Sequence, residues 1–106
     1  MRTIFTYALK DIVVTEPNTE ALIVIPASSF DILNLTVKSV NNFLLYLNYY
    51  TENLELIRSV SIGPGNLIHS QIIGPGKEML AYFIVIQVNV AQSYDIILES
   101  VTTIPL

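Results

Sequence analysis

Apolar and polar residues alternate with a period of two along most of this 106-residue chain. In residues 33–38, leucine and valine at odd positions alternate with asparagine, threonine and lysine at even ones, and residues 43–50, 82–90 and 94–99 repeat the alternation. Successive side chains of a strand point to opposite sides of a sheet, so this period indicates strands. No helix is predicted. Residues 51–59, the best helical window, are interpreted as a strand, with irregular structure or a short helix as alternatives.

Clusters of turn-forming residues separate the alternating segments at the spacing of a sandwich or barrel. They include Glu16-Pro17-Asn18, Asn41-Asn42 and two Gly-Pro-Gly triplets. We therefore predict one all-β domain over residues 1–106, an antiparallel β-sandwich of about eight strands in which a jelly roll is favoured over an immunoglobulin-like arrangement. The predicted strands are residues 3–14, 20–26, 30–40, 43–50, 54–62, 66–73, 78–90 and 94–104.

The two Gly-Pro-Gly triplets contain all four glycines of the chain. Proline suits the second position of a type II turn and glycine supplies the positive φ at the third, so each triplet predicts a turn at one end of a short strand. A phosphate-binding loop fits poorly, because neither triplet continues into the lysine and hydroxyl pattern of that motif and no helix follows. The predicted structural turns comprise Gly63, Pro64, Gly65, Gly74, Pro75 and Gly76.

Composition indicates a protein that covers part of its surface with neighbouring subunits. Hydrophobic residues make up 52% of the chain and charged residues only 13%, against roughly 25% charged residues in ordinary domains. A domain of this size leaves a large part of its surface outside its core. Large exposed apolar areas usually mark interfaces, so we expect a homo-oligomer.

The same composition argues against several other classes of protein. The longest uninterrupted apolar run, residues 79–86, is far shorter than the roughly 20 residues of a membrane span. The N-terminal residues lack the apolar core of a secretory signal, so we expect a protein that is made in the cytoplasm or already trimmed. A net charge of −4 with five scattered basic residues argues against nucleic acid. The absence of cysteine excludes disulfides and thiol chemistry.

Candidate catalytic or metal-ligating groups are few. His69 is the single histidine, and no cysteine or carboxylate lies near it in sequence to complete a transition-metal site. Ser70 adjoins it, but neighbours on a strand point to opposite faces. The nine carboxylates are dispersed, so no pair is selected for acid–base chemistry. We predict a protein that is not an enzyme and uses no cofactor, with His69 on the outer face or in a subunit contact.

The segment from Tyr46 to Asn53 is the best binding candidate in the sequence. Tyrosines offer flat apolar faces that carry a hydroxyl group, as sugar and protein sites often do. A subunit contact is the favoured interpretation, with ordinary packing and glycan binding as alternatives. The candidate residues are Tyr46, Asn48 and Tyr50 on one face and Tyr49 on the other.

Several segments from Ala21 onward follow one another in a familiar order. ALIVIPASSFDILNLTVKSV contains the corner Ile25-Pro26-Ala27; NFLLYLNYY and a turn-rich middle follow; PGKEMLAYFIVIQVNVAQSYDIILES forms the last hairpin. This layout resembles small all-β sandwich proteins of virus particles, namely the head-decoration, fibre-base, turret and spike proteins of tailed phages and archaeal viruses.

The resemblance implies a structural subunit located in the virion. Such a subunit would act through self-association and through contacts with capsid proteins, and edge strands within residues 3–14 or 94–104 would pair between chains. A carbohydrate- or surface-binding β-sandwich module is the alternative function.

Overall fold

The computed structural model describes residues 2–16, 20–74 and 80–103, and within these ranges the chain is built from antiparallel strands. The predicted all-β antiparallel class is therefore confirmed. These ranges contain no helix that is long and apolar enough to cross a membrane. The strands are β1 (Arg2–Val13), β2 (Ala21–Pro26), β3 (Ile32–Tyr50), β4 (Leu56–Ile73), β5 (Phe83–Val88) and β6 (Ser93–Thr103).

β3 lies at the centre of the sheet and pairs with three other strands. On one side β4 pairs with it along most of residues 32–38 and 43–50, with a register shift between these two segments. The other side is shared, because β6 pairs with residues 32–38 and β5 with residues 45–50. β1 extends the sheet beyond β6, and β2 extends it beyond β5. The sheet thus forks into a β6–β1 branch and a β5–β2 branch, and it curls into a half-barrel.

The core lies on the concave face of this curled sheet. It is built from the alternating apolar residues of β3, β5 and β6, which are buried at every second position, as the sequence pattern predicts. At the point where the branches separate, the rings of Phe43 and Tyr94 meet edge to face with their centroids 4.9 Å apart. The Tyr94 hydroxyl donates a hydrogen bond to the carbonyl oxygen of Val90 at 2.6 Å. One continuous core therefore joins both branches.

β3 and β4 form one long hairpin where four shorter strands were predicted. The predicted strand boundaries at Asn41-Asn42 and at Gly63-Pro64-Gly65 are wrong, because both segments lie inside strands. The chain reverses between residues 50 and 54, as predicted, and there the carbonyl oxygen of Thr51 accepts a hydrogen bond from the N–H of Leu54 at 3.0 Å. The two merged pairs account for the difference between about eight predicted strands and the six that the described residues form.

The first Gly-Pro-Gly triplet forms a bulge in β4. Between Phe43 and Leu45 of β3, the partner strand carries one extra residue, which falls at Gly63-Pro64. The peptide bond between these two residues is cis, and Gly63 has a φ of 115°. A Cβ atom on Gly63 would lie 2.9 Å from the carbonyl oxygen of Phe43. Both the positive φ and this close approach require glycine.

The hairpin bends, as its length and the size of the molecule show. A straight strand as long as β3, which has 19 residues, would span about 60 Å at roughly 3.3 Å per residue. The longest dimension of the molecule is 44 Å. Bulges bend a strand and increase its twist, so the register shifts near the middle of the hairpin explain how it follows both branches.

The second triplet begins where β4 ends. Gly74 follows the last residue of β4, and its N–H donates to the carbonyl oxygen of Asp31 at 2.6 Å. Pro75 and Gly76, the rest of the predicted turn, lie outside the described residues. The predicted end of a strand at this triplet therefore agrees with the structure.

Polar side chains stabilise β3 at the fork. The amide group of Gln92 accepts from the N–H of Asn41 at 3.2 Å and donates to its carbonyl oxygen at 3.1 Å. The side-chain oxygen of Asn89 accepts from the N–H of Leu44 at 2.7 Å. These bonds satisfy backbone groups of β3 in the gap between the β5 and β6 pairings, where none of the described strands pairs with β3 on that side. They explain why the asparagines of this segment do not end the strand.

Candidate functional site

The predicted binding segment occupies the second half of β3. Tyr49 belongs to the core, and burial raises the pKa of its phenol although the nearby charge of Arg58 acts in the opposite direction. Tyr46, Asn48 and Tyr50 share the outer face, and the two tyrosines are half-buried there. The structure therefore brings three of the four predicted residues together and assigns the fourth to the core.

The side chain of Asn48 makes hydrogen bonds within the sheet. It is only 7% exposed. Its Nδ2 donates to Oε1 of Gln87 at 2.6 Å, and its Oδ1 accepts from the hydroxyl of Ser59 at 2.6 Å. Asn48 thus links β3 to β5 on one side and to β4 on the other. Together with Tyr46 these residues line a shallow, open depression of about 320 Å³.

His69 lies on the outer face, where it was predicted. It is exposed, and its Nδ1 lies 2.9 Å from the hydroxyl oxygen of Thr36 on the neighbouring strand. Among the described residues, no three histidine, aspartate or glutamate side chains come together as a group that could hold a metal ion. The structure thus places His69 in an ordinary cross-strand contact.

β1 is an edge strand whose side chains are exposed on both faces. Within the described part of the chain it pairs with β6 alone, and every side chain from Ile4 to Asp11 is exposed. The large apolar residues among them are Ile4 at 62%, Phe5 at 52%, Tyr7 at 63% and Leu9 at 40% exposure. An exposed, apolar edge strand of this length is a template for pairing with another chain.

The register between β1 and β6 assigns these side chains to faces. Directly opposed residues of an antiparallel pair share a face, and Tyr7 and Leu9 lie opposite Leu98 and Ile96, which are buried. Phe5, Tyr7 and Leu9 therefore lie on the concave face beside the core, and we call them the β1 stripe. The convex face carries Ile4, Thr6 and Ala8.

The β1 stripe borders an opening between the two branches. A cavity of about 300 Å³ lies there, with walls from β1, from Ile25 of β2 and from Phe30. Ser29 and Ser100 contribute hydroxyl groups, and none of the lining residues is charged. The apolar core thus reaches the surface along the β1 edge, where apolar side chains from another molecule can be buried.

Residues 3–14 or 94–104 were predicted as pairing edges, and the β1 stripe was missed. The structure leaves β1 at the edge, whereas the alternative 94–104 is wrong because β6 pairs with both β1 and β3. The alternation of Phe5, Tyr7 and Leu9 with polar or small residues is visible in the sequence. It shows that these three side chains share a face. It cannot show that β1 is the last strand of its branch, because that depends on strand order. The edge position of β1 leaves this face only partly covered.

Comparison with known proteins supports the fold and assigns no family. No family model matches the chain, and no curated protein matches it. Among solved structures, the chain is similar to the crystal structure of the SPBc2 prophage-derived protein YomS. The similarity has a TM-score of 0.64 and covers 94% of this chain and 96% of that one, at 11% sequence identity. At this identity the likeness establishes a shared fold alone.

Proposed function

We propose that this chain is a non-enzymatic structural subunit of a virus particle, such as a capsid-decoration, turret, spike or fibre-base protein. It acts through self-association and through contacts with other capsid proteins. The observation that carries the proposal is the β1 edge, which is long, exposed on both faces and apolar along the β1 stripe. Proteins that function alone usually shorten, charge or cover such edges.

Exposed apolar side chains elsewhere on the molecule support a subunit that contacts several neighbouring proteins. Val40, Leu54, Ile73 and Leu80 are each at least 68% exposed, and they lie at separate places in the fold. A simple dimer would cover one surface, whereas a subunit inside a particle is contacted on several sides. The low content of charged residues fits the same role.

The fold gives independent support for the class of protein. A solved structure that shares it belongs to a prophage-derived protein.

Two measurements test this proposal. Light scattering on the purified protein is expected to give a mass above the 11.8 kDa of one chain, rising with concentration. A monomer throughout the micromolar range would contradict self-association. Mass spectrometry of particles produced from the encoding genome is expected to find the chain among the structural proteins, and its absence from purified particles would contradict the virion assignment.

Glycan binding is a second candidate function, favoured by one observation. Tyr46 lines the open depression on the outer face, and Tyr50 lies on the same face of β3. A glycan array probed with the native protein and with the double variant Tyr46→Ala/Tyr50→Ala is the test. Binding that the double variant loses would support this function, whereas no binding, or binding indifferent to both changes, would end it.

A further inference from the structure

We infer that β1 pairs antiparallel with β1 of a second copy of this chain, about a twofold axis at Tyr7, so that the sheet continues from one subunit into the next. The inference rests on the proposed self-association and specifies its surface, its partner and its register. Its starting point is that β1 residues 4–9 make their ladder pairs with β6 alone among the described strands, which leaves the outer edge of β1 open.

Symmetry determines which side chains meet. A twofold axis perpendicular to the sheet keeps every side chain on its own face, so the concave face of one copy continues into the concave face of the other. The two β1 stripes then lie side by side and form one apolar band across the junction. A residue on the axis lies opposite the same residue of the second copy. Since directly opposed residues share a face, the choice of that residue determines all the other pairs.

An axis at Tyr7 gives the most favourable pairs. On the concave face, Phe5 lies opposite Leu9 of the second copy, and Tyr7 lies opposite its own counterpart. Aromatic pairs, and pairs of aromatic with apolar residues, stabilise antiparallel ladders. On the convex face, Thr6 lies opposite Ala8 of the second copy, so the pairs next to the axis bring no charged groups together.

The neighbouring registers are worse. An axis at Thr6 pairs Phe5 with Tyr7 of the second copy but places Leu9 beyond the other β1 stripe, which conflicts with burial of the whole stripe. An axis at Ala8 places Phe5 opposite Asp11. The backbone of Asp11 has a positive φ of 55°, and its N–H is already bound by a carboxylate oxygen of Asp95 at 3.0 Å. The Tyr7 register avoids both conflicts.

The exposed apolar side chains of β1 supply about half of the area that a specific dimer buries on each partner. Half-exposed apolar side chains of this size each leave on the order of 100 Å² uncovered. Ile4 and the β1 stripe together therefore offer about half of the roughly 800 Å² that a stable interface buries on each partner. The peptide edge and the remaining β1 side chains add to this area.

Single cysteines test the register, because the chain has none of its own. The variants are Thr6→Cys, Tyr7→Cys and Ala8→Cys, which mark the three axes. Directly opposed residues have Cα atoms about 4.5 to 5.5 Å apart, within the range that a disulfide can bridge. Under mild oxidation only Tyr7→Cys is expected to give a covalent dimer. Cross-linking at position 6 or 8 instead would overturn the register, and no cross-linking at all three positions would overturn the pairing.

A charge placed on the axis tests the pairing without a cross-link. Tyr7→Lys places two lysines opposite each other and is expected to reduce the β1 dimer to its subunits. The matched control is Tyr82→Lys, the same substitution at an exposed tyrosine outside β1, which is expected to leave the mass unchanged. Circular dichroism of both variants checks that the fold is retained.

The outcomes separate this inference from the proposed function. If the native protein associates and Tyr7→Lys reduces its mass while Tyr82→Lys does not, the β1 pairing is supported. If the native protein associates and Tyr7→Lys has no effect, association uses another surface, and only the pairing fails. If the native protein is monomeric, the proposed self-association fails as well.

Discussion

At the scale of single residues, the polar groups inside the sheet are paired. The buried polar residues Ser39 and Asn48 both make short hydrogen bonds. No buried side-chain nitrogen or oxygen in the described part of the chain is without a partner. A buried polar group that loses its partner costs more than an ordinary hydrogen bond contributes, so these few residues constrain the pairing of the strands around them.

Asn48→Ala is expected to lower the free energy of unfolding by about 1 to 3 kcal/mol, because it removes the bonds that join β3 to both neighbouring strands. Urea denaturation measures the change. Ser59→Ala is the control. It removes only the bond on the β4 side, from an exposed hydroxyl group, and should cost less. A loss for Asn48→Ala no larger than that of the control would contradict the cross-strand role.

Two buried tyrosines predict a loss of stability in alkali. Burial raises the pKa of Tyr49 and of Tyr94 above the ordinary value, although hydrogen bonds from Gln92 and to Val90 act in the opposite direction at Tyr94. A raised pKa in the folded state favours the protonated phenol. The stability these groups contribute is therefore fully present below about pH 10 and is lost as the pH rises through their raised pKa values.

The free energy of unfolding, measured by urea denaturation at a series of pH values, should therefore fall above about pH 10. Tyr94→Phe, which cannot ionise, should lose less stability over the same range. Absorbance titration of the folded protein should show that some of the six tyrosines ionise at a higher pH than an exposed tyrosine does. Ionisation of all of them together at the ordinary value would contradict the burial effect.

At the scale of strands, the sequence pattern predicted which residues are buried better than it predicted where strands end. The odd positions of β3 are buried on both sides of the fork, as their alternation indicated. Its predicted boundaries failed because asparagine, glycine and proline suit bulges as well as turns. The choice here depends on bonds from Asn89 and Gln92, which are distant in the chain and leave no local signal.

At the candidate site, too, the sequence predicted the local arrangement of side chains better than their surroundings in the sheet. Alternation correctly separated Tyr49 from the other three residues of its segment, because the face of a side chain is a local property. The β1 stripe depends on which strand lies next to β1, and strand order was beyond the sequence pattern. The sequence therefore predicted which face of the sheet each side chain lies on. It did not predict whether a neighbouring strand covers that face at the sheet edge.

Gly63→Ala is expected to destabilise the protein by more than about 1 kcal/mol, because its φ of 115° is unfavourable for alanine and the new Cβ would meet the carbonyl oxygen of Phe43. Gly65→Ala is the matched control. A Cβ atom there would lie 3.7 Å from its nearest neighbours, an ordinary contact. Thermal unfolding of the two variants should separate them clearly, and equal effects would contradict the bulge geometry.

At the scale of the whole molecule, the exterior combines few charges with several exposed apolar residues. Association through such a surface gains its free energy from apolar burial, which is insensitive to screening and weakens on cooling. The proposed pairing fits this description, because β1 carries only Arg2, Lys10 and Asp11 as charged residues.

The oligomer is therefore expected to keep its mass when salt is raised from about 0.1 M to about 1 M, although this shortens the screening length from about 10 Å to about 3 Å. Sedimentation velocity at several temperatures measures both effects, and dissociation is expected on cooling. Dissociation by salt at constant temperature would show that ion pairs hold the subunits together.

The pairing of β1 with β6 has a consequence for biosynthesis. A ribosome releases β1 well before β6, the strand with which β1 forms its intrachain ladder. During that interval both edges of the nascent β1 are unpaired, and neighbouring nascent chains on one messenger carry the same apolar sequence. Late closure of a ladder between distant segments is slow and prone to aggregation. Expression should thus depend on chaperones that bind nascent chains more strongly than the small size of the protein suggests.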